Sequence, residues 1–124
     1  MSKNIMQFQY DWKEDILFFY SKKEYIYEFS EHLNPFIAIG FDDNNYPVDL
    51  EILDASKTLN TKKYYLKNIE KGEIVIKISE NKIDLSFSLI IITHKKATTV
   101  PVTVVVANKS QIPNIQTEVA VASA

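Results

Sequence analysis

The chain contains no cysteine and no arginine, two glycines, four prolines and a single tryptophan in 124 residues. Without cysteine there are no disulfides, thiolate metal sites or thiol nucleophiles, which sets aside stapled secreted scaffolds and leads us to expect a reduced, cytoplasmic protein. All fourteen basic residues are lysine. No planar guanidinium fork is therefore available for bidentate reading of phosphate or guanine, which argues against sequence-specific nucleic-acid recognition. Gly40 and Gly72 are too few and too far apart to form a glycine-rich phosphate cradle. Apolar runs are short as well: the longest, around Leu89 to Ile92, falls far below the roughly 18 residues of a membrane span. No charged segment followed by an apolar one opens the sequence. The expectation is a soluble chain with no membrane contact.

What the sequence does have is alternation. Met6, Phe8 and Tyr10 alternate with Gln7 and Gln9, a strand with one dry face. Residues 16–20, ILFFY, are β formers that pair with it across the acidic turn 11–15. Tyr25, Tyr27 and Phe29 share one side of a third strand, and residues 30–35 read as a loop that Pro35 leads, extended, into the next arm. The clearest stretch is 36–56, FIAIGFDDNNYPVDLEILDAS. Its first arm is apolar on both faces, as in a strand with neighbours on both sides. Asp42, Asp43, Asn44 and Asn45 then reverse the chain, because their short side chains bond their own backbone and tolerate positive φ. In the second arm Val48, Leu50 and Ile52 face one way, Asp49 and Glu51 the other. The pattern stops at Asp54, whose carboxylate can accept the free amides of one short helical turn, with Ser56 inside that turn.

Farther on, residues 63–69 read as a strand and Glu70-Lys71-Gly72 as a tight turn with glycine at positive φ. Residues 74–78 and 83–91 form a hairpin, and 93–99 a polar loop. Residues 100–106 are β-branched almost throughout, and Pro101 assigns them to a sheet edge or a first rung. Residues 115–121 make a last strand, added to the chain's own sheet or a neighbour's. No stretch keeps helical periodicity. The sum is an all-β fold of nine or ten strands in one domain over 1–124, antiparallel meanders and hairpins packed as a small sandwich or open barrel, with one short helical turn.

Residues 1–56 hold eleven Asp or Glu against four Lys, and residues 57–124 five against ten, so the halves carry about −7 and +5 and attract each other, within one fold or between copies.

Tyr10-Asp11, Asp15 and Leu17, followed by Glu51-Ile52-Leu53-Asp54-Ala55-Ser56, resemble in order and spacing the prokaryotic domain-of-unknown-function family 2283. The resemblance covers about residues 6–59 and leaves 60–124 as a β-rich extension. It implies a small β-rich domain with no settled activity. Asn45 stands where the family has a turn glycine, and Asp49 where it has a glycine within the second arm.

Candidate chemistry is sparse. Asp11, Glu14, Asp15, Asp42, Asp43, Asp49, Glu51 and Asp54 are numerous enough to hold a divalent cation if they gather at one end of a sheet. Their spacing fits no calcium loop, however, and Asp11, Asp42, Asn45, Asp54 and Ser56 are the residues expected in turns and caps. His32 and His94 lie in no ligand spacing. Ser56 lacks the glycine-flanked elbow of a nucleophile. No cofactor is expected. The leading expectation is a non-enzymatic interaction module that binds itself, and potentially another protein, through a strand edge at Val100, Val102 and Val104 or through an aromatic face. The first alternative is lysine-mediated nucleic-acid binding through Lys62, Lys63, Tyr64 and Lys67, with Tyr64 and Tyr65 on opposite faces. The second is a carboxylate-dependent metal enzyme.

Overall fold

The computed structural model describes residues 4–123. Nine strands form one continuous sheet: β1 (Asn4–Asp11), β2 (Ile16–Ser21), β3 (Tyr27–Asn34), β4 (Ile37–Asp42), β5 (Pro47–Ile52), β6 (Ile69–Ile78), β7 (Lys82–Thr93), β8 (Lys96–Ala107) and β9 (Ile115–Ser123). Two helical turns, α1 (Ala55–Thr58) and α2 (Lys63–Leu66), lie between β5 and β6. The strand order is β3-β4-β5-β2-β1-β9-β6-β7-β8, and the sheet curls into a half-barrel. Every pairing is antiparallel except β1 with β9.

Period-two alternation explains the curl. Leu17 and Phe19 on β2, Ile37, Ile39 and Phe41 on β4, and Leu50 and Ile52 on β5 share the concave face with Ile74, Ile76, Leu85, Phe87 and Leu89 of the second meander, and all are buried. Phe19 meets Phe87 at 6.3 Å between ring centroids, so the two meanders close on one another across a common core. Burying such side chains stabilises the fold by about 1.5–3 kcal/mol each. The acidic first meander (β3-β4-β5-β2-β1) and the nearly charge-balanced second (β6-β7-β8) are joined by β9. This last strand returns to lie between β1 and β6, pairing Met6 with Val121 and Gly72 with Val121 from its two sides. The two edge strands, β3 and β8, touch. Beyond β8, the Ser110 hydroxyl donates to Glu31 of β3 at 2.8 Å.

Four local expectations are corrected. Residues 30–34 continue β3 instead of forming a loop, with register shifts on either side of Phe29–His32 and the reversal made by Asn34, whose side-chain oxygen accepts from the amides of Phe36 (2.8 Å) and Ile37 (2.9 Å). Residues 63–66 are helical, and β6 begins only at Ile69. Gly72 lies inside β6, not in a turn. A Cβ there meets the Ser88 carbonyl oxygen at 2.6 Å, so glycine is needed for close approach of β7 and not for positive φ. Finally, the 93–99 loop shrinks to a two-residue turn, His94-Lys95, with φ of 49° and 62°.

Candidate functional site

The motif residues form a latch. Asp15 ends the β1–β2 turn at φ 57° and is buried, 7% exposed. Its Oδ1 accepts from the Tyr10 hydroxyl at 2.6 Å and from the Ser56 amide at 3.0 Å, and its Oδ2 from the Ser56 hydroxyl at 2.6 Å. Its backbone carbonyl accepts from the Ala55 amide at 2.8 Å. Burial pushes the Asp15 carboxyl up, but the hydrogen bonds from Ser56 and Tyr10, with the charge of Lys63, together hold it below the usual carboxylate range. Burial and the bond to Asp15 raise the Tyr10 phenol.

The role expected of Asp54 therefore falls to another residue. Asp54 occupies the cap position of α1 in the left-handed conformation, at φ 46°, and its side chain makes no capping bond. The carboxylate that meets a helical amide, that of Ser56, comes from Asp15, 41 residues earlier. Asp11 folds its own turn, its Oδ1 accepting from the amides of Lys13 and Glu14 at 3.1 Å each. Asp42 does the same for the β4–β5 turn, where Asn45 takes φ 63°.

The carboxylates do not gather. Asp11, Glu14, Asp15 and Asp54 lie where β1 turns into β2, Asp42 and Asp43 lie at the far end of β4, and Asp49 and Glu51 lie on the outer face of β5. Among the described residues no group of three or more His, Asp or Glu is placed to hold a metal ion. Asp49 sits over Gly40, where an added Cβ would collide with the Asp49 carboxylate, and so fills the notch opposite it. Burial and the neighbouring Glu51 raise the Asp49 carboxyl, against a hydrogen bond from the Gly40 amide. His32, opposite Ala38, borders the same shallow outer groove of about 460 Å³.

Two surfaces remain. The first is the lysine-aromatic end built by the β1–β2 turn, α1–α2 and the β7–β8 turn. The Lys67 ammonium lies 5.1 Å from the centroid of the Trp12 ring, and that of Lys62 lies 5.9 Å from Tyr65. Tyr64 lies 6.2 Å from Tyr65 and 6.4 Å from His94. Because residues 63–66 are helical, Tyr64 and Tyr65 stand side by side and not on opposite faces. Lys63 acts on the latch through its charge on Asp15. Reading the sequence missed Trp12 and His94, which only tertiary folding brings to Lys67 and Tyr64.

The second surface is β8, which pairs with β7 along its whole length and, among the described residues, hydrogen-bonds to no strand on its other side, where β3 only touches it. Val100, Val102 and Val104 are half-buried and pack against the core. The outward residues are instead Thr99, Pro101, Thr103 and Val105.

The latch residues lie inside a segment that has known relatives. A family model described as a protein of unknown function, DUF2283, matches residues 7–56. An uncharacterised protein of Methanocaldococcus jannaschii is 46% identical over 61 residues, 48% of this chain and 53% of that protein. A protein of Methanosarcina mazei bearing the name "Putative hypoxanthine phosphoribosyltransferase" is 36% identical over 86 residues, 68% of each. Residues 7–56 belong to the DUF2283 family. The chain spans about half the length of the M. jannaschii relative. No solved structure matches it. The matched segment ends at Ser56 and so contains both sides of the latch, Tyr10 and Asp15 on one and Ser56 on the other.

Proposed function

We propose that the protein is a non-enzymatic interaction module that pairs with a second copy of itself by strand addition along β8. The observation that carries this reading is a twelve-residue strand bonded on one side only, with no charged residue between Lys96 and Lys109. Such an edge offers unpaired backbone groups to another strand, and charges that ordinarily discourage pairing occur only at its ends. Pro101 has no amide hydrogen for β7, which assigns its parity, shared by Thr99, Thr103 and Val105, to the open edge. These four side chains are small and uncharged, so a neighbouring strand meets little steric or electrostatic resistance.

The name carried by the M. mazei relative is not extended to this chain.

Light scattering over a range of concentrations tests the proposal. The chain is expected to exceed monomer mass as concentration rises. Thr103→Pro, which deletes one open-edge donor at a position of proline-compatible parity, is expected to stay monomeric with its thermal midpoint nearly unchanged. A wild type that is monomeric throughout, or a Thr103→Pro chain that assembles like wild type, contradicts it. Val102→Lys or Val104→Lys is unsuitable, because those side chains face the core.

A further inference from the structure

We propose that the end of the half-barrel formed by the β1–β2 turn, α1–α2 and the β7–β8 turn binds single-stranded nucleic acid without reading its sequence. Residues 11–15, 53–68 and 93–96 hold seven lysines against four carboxylates, so this end is +3 in a chain that is −2 overall. Two of those carboxylates are already engaged, Asp11 by backbone amides and Asp15 by Tyr10 and Ser56. Trp12 and Tyr64 are 51% and 53% exposed, an unusual outlay of apolar ring on a turn and a single helical turn. Lys67 holds its ammonium over Trp12, so a charge that neutralises phosphate stands beside an exposed ring on which a base can stack.

The β7–β8 turn adds an independent sign. Two consecutive residues at positive φ suit Asn-Gly, yet this turn carries His94 and Lys95. Stability is given up there for an imidazole beside Tyr64 and a cation next to it. Lysine without arginine, combined with aromatic stacking, matches a backbone-tracking surface and not a groove reader of duplex bases.

Trp12 is the only tryptophan, so its emission reports on this end directly. Titrating the full chain at low salt with short oligothymidylate and oligouridylate is expected to quench it, with the affinity falling on a log–log salt slope of about −2 to −3 for three to four phosphates neutralised. With labelled oligonucleotides followed by anisotropy, Trp12→Ala and Tyr64→Ala are each expected to weaken binding roughly tenfold. The double change Lys62→Glu, Lys67→Glu should abolish it, while Lys22→Glu with Lys23→Glu, in the β2–β3 loop at the other end, should leave it unchanged. Absence of binding by either oligonucleotide overturns the proposal. So does equal loss in the Lys22/Lys23 variant, or polyglutamate binding as tightly as oligothymidylate.

Discussion

Asp15 shows how much a single side chain can organise. A carboxylate 7% exposed normally resists ionisation, yet here donors from Tyr10 and Ser56 compensate its lost hydration and tie a turn to a helix start. A hydrogen bond to a charged group contributes about 1.5–3 kcal/mol. Tyr10→Phe and Ser56→Ala are each expected to destabilise by that amount, and the double variant by less or more than their sum, because both act on one carboxylate. A urea double-mutant cycle with no coupling would count against the latch. Its folded pKa lies below the ordinary 3.8, so the latch's stabilisation is complete above that value and is lost as pH falls through the lower, folded one. Asp49 has the opposite sign. Its pKa is raised by burial and by Glu51, so the ionised form costs stability at neutral pH, and the cost disappears as pH drops through the raised value. Asp49→Asn is expected to raise the urea midpoint at pH 7 and to give no gain in acid. A lower midpoint at pH 7 would refute this reading.

At the level of elements, β9 decides whether there is one sheet or two. It pairs with β1 on one side and β6 on the other, and it contributes the buried Val119 and Val121. A chain ending at Pro113 is expected to lose cooperative unfolding and to aggregate through the exposed edges of β1 and β6. A cooperative transition near the full-length midpoint would contradict that. The hairpins were legible in the sequence because alternation is local: Ile74, Ile76 and Ile78 against Lys77 need no knowledge of the rest of the chain. Residues 63–66 were not, since four residues are too few to display a helical period and Tyr-Tyr-Leu favours strands in isolation. Gly72 was read as a turn because nothing local reveals the Ser88 carbonyl pressed against it. The Asp15–Ser56 contact spans 41 positions and could be seen beforehand only as the coincidence of two motif blocks. Likewise, the edge position of β8 was legible from Pro101, whereas which of its valines face inward required the register with β7.

For the whole molecule, the two meanders lie in one curled sheet, joined through β9. Among the described residues no helix is long and apolar enough to cross a membrane. No buried side-chain polar atom among the described residues lacks a hydrogen-bond partner. Both proposals concern the molecule's surface. Its two distinctive regions are the β8 edge and the lysine-aromatic end, and they respond to different perturbations: strand pairing through backbone groups is weakly sensitive to salt, whereas phosphate binding is strongly sensitive.

The β8 edge is tested most directly by amide hydrogen exchange, residue by residue, at low and high protein concentration. Thr99, Thr103 and Val105 are expected to exchange fast when dilute and to become protected when concentrated, while Val102 and Val104, bonded toward β7, stay slow in both. Exchange at Thr99, Thr103 and Val105 that stays equally fast at every concentration contradicts pairing along this edge.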